Sequence, residues 1–81
     1  MTFKNAFIIF NMTNQPITNR LRELRQKAGL RQIDVAKLLG RDCADRLSHW
    51  ENGTAVPSVF NLFKLAKLYQ VNAHELYPDL N

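Results

Sequence analysis

The stretch DRLSHWENG, residues 45–53, is rich in polar side chains that could bind another molecule. Its two large apolar residues, Leu47 and Trp50, are three positions apart and therefore share one face of a helix. The pair Asn52-Gly53 is typical of a left-handed cap that ends a helix. The other side chains carry carboxylate, guanidinium, hydroxyl and imidazole groups, which the pattern places on the outer face. The stretch thus predicts a short helix with a hydrogen-bonding recognition surface.

The net charge of +4 is concentrated in one third of the chain. Between Asn19 and Arg46, eight basic residues accompany four acidic ones, whereas from Leu47 onward acidic residues outnumber basic ones by one. The eight basic residues are Arg20, Arg22, Arg25, Lys27, Arg31, Lys37, Arg41 and Arg46. A positive field confined in this way favours a polyanion as partner. Taken alone, the charge fits a solvated helix surface equally well.

Length and composition exclude several classes of protein. With 81 residues, of which 46% are hydrophobic and 22% charged, the chain has the composition of one small globular domain. Cys43 is the only cysteine, which excludes an intramolecular disulfide and a four-cysteine zinc site and fits a reducing cytosol. The longest apolar run, residues 6–10, is far shorter than a membrane span and lacks the flanking features of a signal peptide.

No arrangement of residues indicates catalysis, a metal site or a cofactor. Cys43, His49 and His74 fall on three different predicted elements and lack the spacing of metal ligands. No Ser/His/Asp or Cys/His set can be assembled at a workable spacing, and no glycine-rich phosphate loop is present. We therefore expect a binding protein without enzymatic activity, metal or cofactor.

The spacing of apolar residues predicts an all-α fold of five helices, because they recur at three and four positions and rarely at two. The first helix follows Pro16, which suits a first helical turn, and Gly29 caps its end with Leu30 folding back as the hydrophobic contact. The predicted inward residues of this helix are Ile17, Leu21, Leu24 and Ala28.

The second helix, residues 32–39, and the third, residues 45–53, are joined by a tight turn that Gly40 permits. The inward residues of the second helix are Val35, Ala36 and Leu39, and the small Ala36 lets the two helices cross closely. With Leu47 and Trp50 fixed on the core, the third helix must point its other side outward, in a form that fits the DNA major groove. The predicted outward residues are Ala44, Asp45, Arg46, Ser48 and His49.

Capping signals place the last two helices. Ser58 suits the N-cap of the fourth helix, and Asn72 and Glu75 have the spacing of a capping box that opens the fifth, which Leu76 anchors. The predicted inward face of the fourth helix is Val59, Leu62, Phe63, Ala66 and Tyr69. The predicted contacts with a second chain are Phe60, Leu68, Tyr77 and Leu80. Simple partial exposure explains Phe60 and Leu68 nearly as well.

Three segments carry a family pattern, namely LRELRQKAGLRQIDVAKLLG, LSHWENG and PSVFNLFKLAKLYQVNAHELY. In this order they resemble the helix-turn-helix regulators of the Cro and phage-repressor type, the XRE family. The resemblance covers residues 17–77. It implies a compact five-helix fold like that of lambda repressor, with double-stranded DNA as partner. It also implies a homodimer that regulates transcription in the cytoplasm, bound to the nucleoid through DNA.

Residue roles follow from this resemblance at the matching positions. The family's base contacts open the third helix and recur one turn further, which here gives Ala44, Asp45, Arg46 and His49. The family's phosphate contacts lie at the start of the second helix and after the third. Together with neighbouring basic and hydroxyl groups, the implied phosphate set is Arg31, Gln32, Arg41, Ser48, Asn52, Gly53 and Thr54.

Two positions depart from the family pattern. Arg31 stands where Ser or Thr commonly caps the second helix; a guanidinium cannot cap, although it can reach a phosphate. The turn before Leu47 is one residue longer than the commonest form, which leaves the register of residues 42–44 open by one. For Asp45, orientation of Arg46 is slightly preferred over acceptance from a cytosine amine.

The predicted function is a repressor-like, sequence-specific regulator that binds a two-fold operator as a dimer. The alternative is a protein-interaction module on the same fold, such as an antitoxin that masks a toxin. Binding to DNA should weaken steeply with salt, whereas masking through an apolar face should not.

The leader FKNAFIIF, residues 3–10, has five large apolar residues in eight and lies outside the family pattern. Exposed to water it would be an aggregation hazard, so we expect it to pack over Ile33 and Leu38 or on a second chain. Alternatively, Met12 is the natural start. The predicted domain spans residues 16–77, with an extension of residues 1–15 and a tail of residues 78–81. No effector domain is expected after the fifth helix.

Overall fold

A computed structural model describes residues 16–80, and the side chains of residues 16–79. The apolar leader and the side chain of Leu80 therefore lie outside the described part of the chain. Within it the helices are α1 (Leu21–Lys27), α2 (Gln32–Leu38), α3 (Asp45–Asn52), α4 (Val59–Tyr69) and α5 (Ala73–Leu76), followed by a 3₁₀ turn, Pro78–Leu80. The described residues form no strand, and the predicted all-α class of five helices is confirmed.

The core draws on all five helices. Leu47 and Trp50 of α3 are 0% and 1% exposed, which confirms their predicted inward position. The remaining buried hydrophobic residues are Leu21, Leu24, Val35, Ala36, Leu65, Ala66, Tyr69, Leu76 and Tyr77. Because α3 contributes only two side chains to this core and buries both, its opposite side is free to face outward.

Glycine ends the first three helices as predicted. Gly40 follows α2 with φ +80°, and the next amide, that of Arg41, donates to the carbonyl of Ala36 at 2.9 Å. This is the long cap bond that reverses the chain tightly, and glycine adopts its left-handed conformation without steric cost. The reversal brings α3 against α2, the two helices that the sequence predicted to cross. Ala36, at their crossing, is fully buried.

The start of α1 differs from the prediction. Residues 16–20 are not helical, and α1 begins at Leu21 instead of after Pro16. Long-range bonds hold the preceding segment, since the Ile17 amide donates to the carbonyl of Gly53 at 3.0 Å. The side chain of Asn19 accepts from the Leu21 amide at 3.0 Å, which satisfies one of the free amides at the start of α1. Ala28 is the C-cap and is exposed, so its predicted inward position is wrong.

The buried face of α4 is rotated from the predicted one. Val59 and Phe63, predicted to point inward, are 67% and 60% exposed. The predicted Leu62, Ala66 and Tyr69 do face the core, and Leu65 completes the inward stripe. Both stripes have helical spacing because α4 is apolar around more than half its circumference, and packing against the other helices selects one of them.

Two predicted contacts with a second chain belong to the protein's own core. Tyr77 is only 6% exposed, and burial raises the pKa of its hydroxyl to about 12. Leu68 is half-buried and packs against the core cluster. Phe60, by contrast, is 80% exposed. Of the predicted set with described side chains, only Phe60 is therefore fully presented to a partner.

Candidate nucleic-acid interface

The outer side of α3 is exposed while its inner side is fixed. Opposite the buried Leu47 and Trp50 lie Asp45, Arg46 and His49, and all three are exposed. Ala44, the N-cap, is half-buried. Asp45 and Arg46 share no hydrogen bond or ion pair among the described residues, so the predicted orienting contact is not made in the free protein. The arrangement leaves the Arg46 guanidinium free to meet a ligand.

A buried carboxylate in the last turn of α3 accepts hydrogen bonds from side chains of two other helices. Glu51, whose side chain is 0% exposed, accepts from Nε of Arg25 at 2.6 Å and from its Nη2 at 3.2 Å. It also accepts from Nε of Arg22 at 3.3 Å and from Nε2 of Gln32 at 2.9 Å. The carboxylate thereby joins α1, α2 and α3, the elements that set the position of the outer face.

The charge of Glu51 is held by these donors. Burial raises the pKa of its carboxyl, but hydrogen bonds from Arg25, Gln32 and Arg22 outweigh burial and leave the pKa below its ordinary value. Glu51 is therefore ionised at neutral pH and is satisfied inside the protein. Its carboxylate does not add a free negative charge near the outer face of α3.

The same network extends to predicted phosphate contacts. Nη2 of Arg22 donates to Oδ1 of Asn52 at 2.8 Å, and Nδ2 of Asn52 lies 3.4 Å from Oγ of Ser48. Gln32, Asn52 and Ser48 are thus linked through Arg22 and Glu51 instead of standing as separate surface residues. Their polar groups are held at the junction of three helices.

After α3 the chain turns back over its last residues. Oγ1 of Thr54 lies 3.0 Å from Nδ1 of His49, and the Thr54 amide donates to the His49 carbonyl at 3.0 Å. Gly53, between them, is buried, and its amide donates to the Trp50 carbonyl at 3.2 Å. The backbone amide and carbonyl of Gly53 are therefore engaged within the fold, and its contact with phosphate stays a prediction. Thr54 and Asn52 remain exposed.

Arg31 and Asp34 replace the missing N-cap of α2. Arg31 makes no side-chain cap bond, as predicted, but the carboxylate of Asp34 accepts from the Arg31 amide at 2.8 Å. Nη2 and Nε of Arg31 also donate to this carboxylate, at 2.8 and 3.0 Å. These hydrogen bonds lower the pKa of Asp34 to about 2. Arg31 is mostly exposed and keeps donors toward solvent, although its charge is partly countered.

Ion pairing divides the basic cluster into two groups. A carboxylate lies within 4 Å of Arg20, Arg22, Arg25, Lys27 and Arg31. The remaining three, for which the described residues supply no such partner, are Lys37, Arg41 and Arg46. Arg41 is half-buried in the turn before α3, and Arg46 is exposed on α3 itself. The free positive charge thus concentrates on α2, the turn and α3.

The sequence did not single out Arg22, Arg25 or Glu51 as members of the site. A signal existed, because Arg25 lies four positions after Leu21 and one after Leu24, on the inward stripe of α1. A guanidinium on an apolar face requires a buried acceptor, and Glu51 directly follows the buried Trp50.

Neither a metal cluster nor a membrane-spanning helix occurs in the described part of the chain. It contains no group of three or more His, Cys, Asp or Glu side chains placed to hold a metal ion. None of its helices is both long and apolar enough to span a membrane.

Comparison with known proteins identifies a family. The family model described as helix-turn-helix matches residues 21–76, which covers α1 to α5 and leaves out the leader. Neither the curated proteins nor the solved structures yield a significant match to the chain.

Proposed function

Because the chain belongs to the XRE/Cro-type helix-turn-helix family, we propose that it is a sequence-specific regulator that reads double-stranded DNA with α3. One observation carries the proposal: Arg46 is exposed on the outer side of a helix anchored by Leu47 and Trp50, and no carboxylate of the described residues pairs with it. A short helix held in this way can enter the major groove with its first turns against base edges.

Base contacts are assigned to the outer side of α3. Arg46 suits guanine, whose O6 and N7 accept two hydrogen bonds from one guanidinium. Asp45 orients Arg46 once DNA is bound, or accepts from a cytosine amine at the neighbouring pair. His49 and Ala44 complete the face, and the contact of His49 with Thr54 fixes the direction of its ring.

Phosphate contacts flank this helix on both sides. We assign them to Arg31, Gln32, Arg41, Ser48, Asn52 and Thr54, and we add Arg22. The side chain of Arg22 is 53% exposed, although it also contacts Glu51 and Asn52. Because Glu51 holds Gln32 and Arg22 in place, phosphate binding by these two residues needs little reordering of side chains.

A single α3 reads only a few base pairs, so specificity requires two copies about 34 Å apart on one face of the duplex. We propose a homodimer on a two-fold operator, with repression as the consequence of occupying it. Phe60 belongs to a large exposed apolar surface of α4, which is suited to pairing two chains. Such a regulator acts in the cytoplasm.

The same apolar surface favours a second candidate function. A protein partner, such as a toxin masked by this chain, could cover Phe60 and its neighbours. The two functions differ in salt dependence, because phosphate contacts release counterions and apolar contacts do not.

Selection from a random duplex pool, followed by substitution, tests the assignment. On the selected site, Arg46→Ala should cost about 1–3 kcal/mol of binding free energy and relax preference at one or two base pairs. Lys64→Ala, exposed on α4 and outside the proposed interface, is the matched control and should change little. If Arg46→Ala weakens every sequence equally, Arg46 contacts phosphate and the base assignment is wrong.

A further inference from the structure

Four large apolar side chains are exposed at the beginning of α4 and in the segment just before it. Val56, Val59, Phe60 and Phe63 are 52%, 67%, 80% and 60% exposed, and we refer to them as the α4 patch. Val59 and Phe63 are one helical turn apart with Phe60 beside them, so these three share a face. A cluster of this size on a small domain indicates a surface that is covered in the working protein.

The described chain begins close to Val56, one member of this patch. The Ile17 amide donates to the carbonyl of Gly53 at 3.0 Å, which pins the start of the domain to the end of α3. Val56 follows Gly53 by three residues. By chain length alone, Val56 therefore lies within about 11 Å of the point where residue 17 is anchored.

The residues before this anchor include an apolar segment that could cover the α4 patch. Residues 3–10 contain Phe3, Phe7, Ile8, Ile9 and Phe10, with Lys4 as their only charge. The spacer, residues 11–16, can span up to about 20 Å when extended, which exceeds the bound of about 11 Å on the distance to Val56. An apolar segment and an exposed apolar surface are thus joined by a tether of sufficient length.

We propose that the leader, residues 3–10, docks in cis on the α4 patch. The tether gives the leader an effective concentration near the patch in the millimolar range, which a second copy reaches only in concentrated solution. Phe60 is also our proposed contact between two chains, so leader docking and pairing exclude each other. The leader therefore competes with dimer formation.

Paramagnetic broadening tests the proposal on the full chain without DNA, so its result does not depend on the proposed function. In a Cys43→Ser background, which removes the exposed native thiol, Lys4→Cys carries a nitroxide label. We expect loss of amide signal intensity at residues 59–63, recovered when the nitroxide is reduced. Phe7→Ser in the same chain should abolish the loss, whereas Asn5→Ser should leave it.

A mixed sample separates docking in cis from docking on a second copy. It combines isotope-labelled chains without nitroxide and nitroxide-labelled chains without isotope. The proposal predicts no loss of intensity at residues 59–63 in this mixture. Loss in the mixture equal to that in the doubly labelled chain would show docking between chains and would overturn the proposal. So would the absence of any loss at these residues in the doubly labelled chain.

Discussion

Nε of Arg25 lies 2.6 Å from Oε2 of Glu51, and the two side chains are only 10% and 0% exposed. This pair joins α1 to the last turn of α3 inside the protein. Together with the buried Leu47 and Trp50 and the other donors to Glu51, the pair restricts how the outer face of α3 is presented. The buried charges therefore fix the geometry of the outer face of α3, although neither is assigned to contact DNA.

Breaking this pair should destabilise the fold strongly. Glu51→Gln keeps the shape of the side chain but leaves the Arg25 guanidinium buried without a counter-charge. Removing one member of a buried pair typically costs about 3–5 kcal/mol, and we expect the lower end because Arg25 also donates to the Leu30 carbonyl at 2.8 Å. The free energy of unfolding in urea measures the loss.

The same substitution at an exposed pair is the control. Glu23 accepts from Arg20 at 2.9 Å, with side chains 51% and 34% exposed. Glu23→Gln should cost less than about 1 kcal/mol, because solvent screens the pair. Equal losses for Glu23→Gln and Glu51→Gln would contradict a special role for the buried pair.

Acid should weaken the fold partly through Glu51. Its folded pKa is lowered relative to its ordinary value of 4.5, since three side-chain donors outweigh burial. A group with a lowered folded pKa contributes stability above its unfolded pKa and loses it as pH falls through the folded pKa. The unfolding free energy of the native chain should therefore decline below about pH 4.5. Glu51→Gln should decline less steeply from its lower starting value; parallel curves would exclude Glu51 as a source of the acid sensitivity.

Local signals in the sequence predicted most of the fold. The caps at Gly40 and Gly53, the N-cap at Ser58 and the burial of Trp50 depend on residues close in the chain, and the structure confirms them. The start of α1 was missed because Ile17 bonds to Gly53, a partner 36 positions away. The face of α4 was predicted only in part: Leu62, Ala66 and Tyr69 are inward, but Val59 and Phe63 are not, because two apolar stripes were available and only packing chooses between them.

The outer face of α3 was also predictable, whereas its support was not. Helical spacing around Leu47 and Trp50 is enough to place Arg46 and His49 outward. The contact between Arg25 and Glu51 joins residues 26 positions apart, and no periodicity encodes such a pairing. The sequence indicated which groups face outward, and tertiary contacts decide how firmly they are held.

Gly53 should resist substitution more than other helix-ending glycines. A Cβ at Gly53 would lie 2.6 Å from the carbonyl oxygen of Ile17, which is backbone and cannot move aside cheaply. We expect Gly53→Ala to cost about 3 kcal/mol or more of unfolding free energy. Gly40→Ala, with φ +80° against +81° and no atom within 4 Å of the added Cβ, should cost only about 1–2 kcal/mol. Similar losses at both positions would show that conformation alone, and not the contact with Ile17, requires Gly53.

Phe60 should affect pairing of chains without affecting the fold. Because the helices of the domain leave Phe60 80% exposed, Phe60→Ser should keep the domain folded, and any loss of stability should be limited to the contacts that the docked leader makes. If two chains pair through this surface, the affinity of the Phe60→Ser variant for a two-fold DNA site should fall about tenfold or more, toward the affinity for a half-site. Leu38→Ser, 60% exposed on α2, controls for loss of a large apolar side chain from the surface. A native chain that binds half-site and full site equally, and sediments as a monomer on the latter, would contradict the dimer.

The salt dependence of binding to the selected duplex tests the central claim most directly. If a dimer neutralises about six phosphates, the logarithm of the binding constant should fall with the logarithm of salt concentration at a slope of about −5. Replacing Arg41, which has no carboxylate partner among the described residues, by Ala should make this slope shallower by about one unit for each phosphate that is no longer neutralised. A slope near zero, or no binding at low salt, would contradict the proposal that this chain is a DNA-binding regulator.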